Sequence, residues 1–404
     1  MNLFEKFGLS QETTETIKKL GFTKPTLIQE KSIPMIVQGK DVIGESATGS
    51  GKTLAFGCGI VEHTVPGKGL QTLVLAPTRE LAEQVRGVIN TLAHKKKLKI
   101  LSIYGGVAIN PQIHDLPKAD VVVATPGRLL DHLQRRTVDL SKVKLLVLDE
   151  ADRMFDMGFI EDIERIIRFC PKKRQTLFFS ATISNDVKKF AKKYMIEPTK
   201  VAATKMVDPK KLKQVYYDVS KNQKLSLLIH LLKNEDSGLV MVFCNTRKNT
   251  DFVTKNLKAN KISAIAIHGG LTQNKRTKTI DMFNNAKVGA LVCTDVAARG
   301  LDIDNVSHVY NYDIPKDAKD YVHRIGRTAR AGEEGKVINI LCDYDHDNFS
   351  RILREYREFV IDKLQVPALE RVIVKKDSPR RRAPAGRGRF ARSHNGRKKA
   401  RARH

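Results

Sequence analysis

The sequence predicts an α/β protein built from two bodies, each around a parallel sheet. Short, continuously apolar runs alternate with stretches of helical spacing, and the runs fall into two series separated by a polar, basic stretch. Helices cover both faces of a parallel sheet, so its strands read as unbroken apolar runs. At 404 residues the chain has room for two or three domains. The first series of expected strands is 41–43, 72–76, 100–104, 121–124, 145–148 and 175–180; the second is 239–244, 264–267, 289–293, 307–311 and 337–342. Stretches such as 79–91 and 249–260 carry helical spacing between them. The segment 203–211, polar, basic and holding Pro209, reads as a hinge. The expected division is a first domain over 1–202, a linker over 203–211, a second domain over 212–367 and a basic tail over 368–404. No short tandem repeat is visible, although the two halves share one rhythm of strands and helices.

From Arg380 to His404 there are eleven Lys or Arg and no Asp or Glu. Such a segment buries too little apolar surface to offset its ordering entropy and reads as disordered. It would attract phosphates without reading sequence. The whole chain carries +28 formal charges, which favours a polyanionic partner: nucleic acid or an acidic membrane surface. Five cysteines are scattered without metal-ligand spacing, as in a reduced, intracellular protein. The start, MNLFEKFGLS, lacks a secretory apolar run, and no stretch approaches the ~20 apolar residues of a membrane span. The expectation is a soluble, cytoplasmic protein with no membrane partner; monomer is the default.

Residues Ser46, Ala47, Thr48, Gly49, Ser50, Gly51, Lys52 and Thr53 follow the first apolar run and precede a helix-compatible stretch. Glycines let the backbone curl so that several N–H groups point inward, and the next helix adds its positive end. Lys52 would reach the β- and γ-phosphates, and Thr53 would ligate Mg²⁺. A strict phosphate loop has Gly where Ser46 stands. About a hundred residues on, a four-residue apolar run ends in Asp149-Glu150-Ala151-Asp152. Such a strand delivers acid at its carboxyl end, where open α/β sheets bind ligands. Asp149 would hold Mg²⁺ through water and Glu150 would polarise the attacking water.

With these residues together, the chain resembles the DEAD-box RNA helicases over roughly residues 4–345, with about a dozen short motifs in the family's order. The resemblance implies two tandem RecA-like domains, ATP and Mg²⁺ as cofactors, and RNA as partner. Phe22, Lys24 and Gln29, within GFTKPTLIQ, are similar to the family's adenine-binding motif, with Gln29 on the base edge and Phe22 packed on the ring. Pro77, Thr78 and Arg79, then Gly105 and Gly106, then Thr125, Gly127 and Arg128 resemble the first-domain RNA path; their chemistry suits phosphate contact. Taken alone, Thr78 and Arg79 would be a helix cap and a surface charge. Ser180 and Thr182 resemble the triplet that, with Asp152 and His323, links nucleotide state to RNA grip. Thr246, Gly269, Gln273, Arg276 and Thr294 resemble the second-domain RNA motifs. Gly300 and Asp302 would approach the ribose, and Arg327 and Arg330 would act as arginine fingers. The family commonly has Gly where Ala329 stands.

The implied activity is RNA-dependent ATP hydrolysis coupled to local duplex unwinding or ribonucleoprotein remodelling. Few aromatics, 6% with no Trp, argue for backbone contacts over base stacking and hence little sequence preference. Three rival readings stay open at this stage: a DNA translocase of related architecture, an RNA chaperone that works without ATP, and a slow ATP- and RNA-binding clamp.

Overall fold

The computed structural model describes residues 3–46, 49–203, 212–298, 301, 303, 306–329 and 334–375. Among the described residues, fourteen strands form two seven-stranded sheets, parallel throughout. The first contains β1 (Val42–Ser46), β2 (Thr72–Leu75), β3 (Ile100–Ile103), β4 (Val121–Ala124), β5 (Leu145–Asp149), β6 (Gln175–Ser180) and β7 (Thr199–Ala203). The second contains β8 (Leu212–Asp218), β9 (Leu239–Phe243), β10 (Ala264–Ile267), β11 (Ala290–Cys293), β12 (Val306–Asn311), β13 (Gly335–Leu341) and β14 (Ile361–Lys363). Their orders are β3-β4-β2-β5-β6-β1-β7 and β10-β11-β9-β12-β13-β8-β14. Adding seven to each number of the first order produces the second, so the halves repeat one topology without repeating sequence.

All eleven expected strands are present within a few residues. Three others escaped the apolar-run criterion. In β7 only Val201 is buried, β14 is three residues long with none buried, and β8 mixes polar and apolar positions. Ala203, expected in the linker, ends β7 and pairs with Ser46; the rest of that segment, 204–211, lies outside the described residues. The second body also runs past 367. Leu369 and Val372 pack on its core, and Asn256 and Asn260 hydrogen-bond the backbone at Lys375 and Ile373. The tail beyond 375 lies outside the described residues.

Each sheet has one core on each face. In the first body the helix Lys52–His63 packs against Leu27–Val37 and Arg79–Leu92. Close approach is possible because the helix is glycine there: a Cβ on Gly59 would run into Ile36 Cγ2. No helix among the described residues is long and apolar enough to cross a membrane. All five cysteines are buried and free.

Gly59→Ala should therefore contradict helix propensity. Propensity alone favours Ala by about 1 kcal/mol, but the added methyl meets a β-branched side chain that is stiff at χ1. The expected outcome is a loss of about 1–3 kcal/mol, read as a lower urea midpoint at unchanged slope. An equal or higher midpoint would mean that the two helices are free to part.

Candidate nucleotide and nucleic-acid sites

The strand order divides the carboxyl edge of the first sheet into two halves. Adjacent strands β5, β6 and β1 present one group of loops, and β3, β4 and β2 present another.

In the first half, β1 ends at Ser46 and the helix Lys52–His63 begins just after the glycine loop. Gly49 and Gly51 have φ of 79° and 88°, in the left-handed region that favours glycine. A Cβ on Gly51 would also collide with the Gln29 amide. Gln29, 3% exposed, donates from Nε2 to Gly51 O at 3.1 Å, and its Oε1 accepts from Thr26 N at 2.9 Å. Thr26 Oγ1 donates to Ser50 O at 2.8 Å. These bonds staple the helix Leu27–Val37 to the loop. Lys52 Nζ donates to Ser46 O at 3.1 Å and Ser50 Oγ to Ser46 Oγ at 2.8 Å. Thr53 is half-buried, while Phe22 and Lys24 are exposed. Ala47 and Thr48 lie outside the described residues.

The buried β5 delivers Asp149, after which Glu150 takes a left-handed φ of 50°. Non-glycine residues there carry about 1–3 kcal/mol of strain, which clusters at functional sites. Burial pushes the Asp149 carboxyl up to about 7; Lys52 opposes this and Glu150 adds to it. Glu150 N donates to Asp149 Oδ1 at 3.0 Å. Glu150 Oε2 is buried without a hydrogen-bond partner, with Arg153 Nη1 at 3.5 Å. Asp152 Oδ2 accepts from both Thr182 N and Thr182 Oγ1 at 2.9 Å, while its own N donates to Ser180 Oγ at 3.2 Å. Burial alone would raise the Asp152 carboxyl, but His323, Lys52 and these hydroxyls hold it below its usual range.

His323 belongs to the second body. It lies on the helix Ala318–Ile325, and burial holds its imidazole below the ordinary value, with Arg153 acting the same way and Asp320 opposing. A water-sized cavity of about 10 Å³ joins Arg153 of the first body to His323, Asp320 and Arg327 of the second. Arg327 is buried and donates from Nη1 to Leu301 O at 2.7 Å. Gly300, Asp302 and Arg330 lie outside the described residues.

In the other half, a cavity of about 580 Å³ lies between the two bodies. Of the residues expected on the RNA path, all but Gly106, Thr246 and Thr294 line it. Thr78 caps the helix Arg79–Leu92 and Thr125 precedes the helix Pro126–Gln134, so two helix starts open here. Gly106, at φ 78°, leaves space that the Arg79 guanidinium fills. Thr246 caps the helix Arg247–Ala259 by accepting from Asn249 N at 3.1 Å. Thr294 is buried just past the end of β11.

Two residues that lie within the motif stretches but not among the expected site residues are central here. Glu80 Oε1 accepts from Arg276 Nε at 2.8 Å and from Gln273 Nε2 at 3.2 Å, and Arg79 Nη1 donates to Gln273 Oε1 at 3.5 Å. These bonds cross between the bodies. Arg324, fully buried, makes a bidentate pair with Asp295 at 2.6 and 2.7 Å. It also donates to Asn245 Oδ1, Asn311 Oδ1 and Asp313 O. Beside His323 and Arg327 it reads as one more surface cation; only the fold shows that it is interior.

The raised Asp149 carboxyl makes the nucleotide-free protein less stable as pH rises toward neutrality. Its folded pKa lies above the unfolded one, so the folded state binds the proton more tightly and loses stability progressively as pH rises from the ordinary carboxylate value to about 7, above which the loss is complete. Asp149→Asn should remove that loss, worth about 1.4 kcal/mol per pH unit between the ordinary carboxylate value and the folded one and flat above it. Melting of both proteins across this range checks it; parallel curves would refute it.

Residues 26–190 match the family described as DEAD/DEAH box helicase, and residues 223–332 match Helicase conserved C-terminal domain. The chain is 43% identical to the ATP-dependent RNA helicase CshA of Listeria monocytogenes, over 91% of this chain and 71% of that protein. It is also 43% identical to the DEAD-box ATP-dependent RNA helicase CshA of Geobacillus kaustophilus, over 92% of this chain and 80% of that protein. Among solved structures, S. cerevisiae Dbp5 bound to RNA and ADP BeF3 superposes with a TM-score of 0.82 at 32% identity, covering 90% of this chain and 96% of that one. A DEAD box protein from Methanococcus jannaschii gives 0.55 at 40% identity, covering 90% and 99%. With matched family regions, relatives spanning nearly the whole chain and a shared two-sheet architecture, this chain belongs to the DEAD-box family of ATP-dependent RNA helicases.

Proposed function

We propose that this protein is an RNA-dependent ATPase that binds RNA backbone between its two bodies and couples ATP hydrolysis to local strand separation or ribonucleoprotein remodelling. One observation carries the reading: two carboxyl edges meet, with a nucleotide-type cluster in one half and a phosphate-suited cavity in the other. The comparison supports it, since the superposition with the RNA- and nucleotide-bound relative exceeds that with a more identical protein. We assign the ATP-binding domain to residues 1–203 and the second domain to 212–375. A reducing, cytoplasmic setting suits five buried free thiols, and we take the chain as a monomer.

The loop around Gly49 and Gly51 would cradle the phosphates, with Lys52 exchanging its Ser46 carbonyl for phosphate oxygen. Gln29 retains unused hydrogen-bonding capacity for an adenine edge beside the exposed Phe22. Asp149 and Thr53 suit Mg²⁺, which keeps much of its water and takes one or two carboxylates alongside phosphate oxygens. No cluster of three ligating His, Cys, Asp or Glu side chains exists among the described residues, and this ion does not need one. Bound there, Mg²⁺ would neutralise phosphate charge. Glu150 Oε2, buried and without a hydrogen-bond partner, is suited to accept a proton as water attacks the γ-phosphorus. The bond from that phosphorus to the bridging oxygen breaks, leaving ADP and phosphate. Arg327 and Arg330 would stabilise the spreading charge. Asp152, Ser180, Thr182 and His323 would report nucleotide state to the RNA half.

Glu150→Gln should reduce RNA-stimulated hydrolysis by at least about 10² while ATP binding persists. Steady-state rates with and without single-stranded RNA check this, and retention of the rate would remove Glu150 from the mechanism. On the RNA side, Arg128→Ala and Arg276→Ala should weaken binding uniformly across sequences and each flatten the salt slope by about 1. A change confined to particular sequences would mean base readout.

A further inference from the structure

The repeated topology places a second copy of the nucleotide half in the second body, at the loops of β12, β13 and β8. Lys52 is the first residue of the helix that follows β1, and Lys224 is the first residue of the α-helix that follows β8. Asp149 ends β5, and Asp313 lies just after the equivalent β12; Asp345 follows β13, the equivalent of β6. In this copy the lysine is already matched. Lys224 Nζ, 4% exposed as a residue, lies 2.7 Å from Asp345 Oδ2 and 4.0 Å from Asp313 Oδ1. Carboxylate oxygens occupy the place that phosphate oxygens would take in the first body.

The cluster does not end there. Asp345 Oδ1 accepts from Ile314 N at 3.3 Å, and Asp313 Oδ2 accepts from Asn245 N at 2.9 Å and Asn249 Nδ2 at 2.8 Å. Asn245 Oδ1 in turn accepts from Arg324 Nη2 at 2.9 Å, and Asp313 O from Arg324 Nη1 at 2.6 Å. Arg324 lies on the helix that carries His323, while Asn245 and Asn249 flank Thr246. We infer that Lys224, with Asp313 and Asp345, is a positioning centre made from a phosphate site permanently filled by carboxylate. It fixes the loop bearing Thr246 and the helix bearing His323 relative to each other, so one rigid unit meets RNA and ATP together. The inference rests on the catalytic reading above for its consequence, but the geometry stands on this body alone.

The test uses the full chain with Lys224→Met/Asp345→Asn, which removes the pair without leaving either charge buried alone, and with Lys224→Arg, which keeps the cation. The double variant should keep its KM for ATP within about twofold and lose roughly tenfold in RNA-stimulated kcat, with Lys224→Arg recovering most of it. In nucleotide-free protein, amide exchange at 245–249 and 318–325 should accelerate together in the double variant. A folded double variant with unchanged kcat, or faster exchange in only one segment, would overturn the inference. If the unmodified protein shows no RNA stimulation, the catalytic reading fails while the exchange measurement still decides this one.

Discussion

In both sheets every strand runs parallel to its neighbours, so each connection must cross back along a face before the next strand begins. Every strand therefore releases its carboxyl end at the same edge, where helices begin and offer unpaired N–H groups. A chain organised this way has an anion-binding edge by construction. Here two such edges face one cleft, and that placement gathers Asp149, Glu150, Ser180, Arg79 and Arg128 from strands scattered over the first half of the chain. Strand order sorts them further. Since β6 lies between β5 and β1, Ser180 falls between the acid tetrad and the phosphate loop, where it can hold the residues around Asp152.

Asp152 illustrates how one buried carboxylate serves several segments. Its oxygens accept from Thr182 and Arg153, its amide donates to Ser180, and His323 of the second body helps keep it ionised. Removing any one partner would leave the others around an uncompensated buried charge, a much larger penalty than one lost hydrogen bond. The link among these first-body segments is therefore stiff: it holds in full or comes apart at a large cost.

Much of this was legible in the sequence because burial on both faces leaves a simple mark. The eleven expected strands are ones that carry an apolar run, and loops placed at their ends follow automatically, whereas interior β8 mixes polar and apolar positions and leaves none. Strands β7 and β14 sit at one edge of each sheet and hold too few apolar residues to leave a run, whereas the opposite edges β3 and β10, also half-buried, keep theirs. Among side chains, the motif residues could be placed but their partners could not. Glu80 and Arg276 are 196 residues apart, and Lys224 and Asp345 are 121 apart. Neither pairing has any local periodicity. Each of these residues read alone is a solvated surface charge, the commoner fate of its type. Only after the topology brings distant loops to one edge does burial turn them into obligatory pairs.

The Glu80 bridge adds a condition on how the cleft works. Gln273 and Arg276, expected to meet RNA, already have hydrogen-bond partners across the cleft in the protein alone. A phosphate entering the cavity must therefore exchange with a carboxylate rather than fill empty donors. Such an exchange yields less net free energy than a new charge-assisted bond, but it lowers the cost of holding the bodies together before RNA arrives. A ligand can shift the open–closed balance only by its differential affinity for the two states. On the proposed reading, Glu80 would reduce the energy that RNA must supply by holding the bodies together beforehand, and it would also weaken the distinction between bound and free. On that reading the acid in this cavity is a compromise between readiness to close and dependence on RNA for closing.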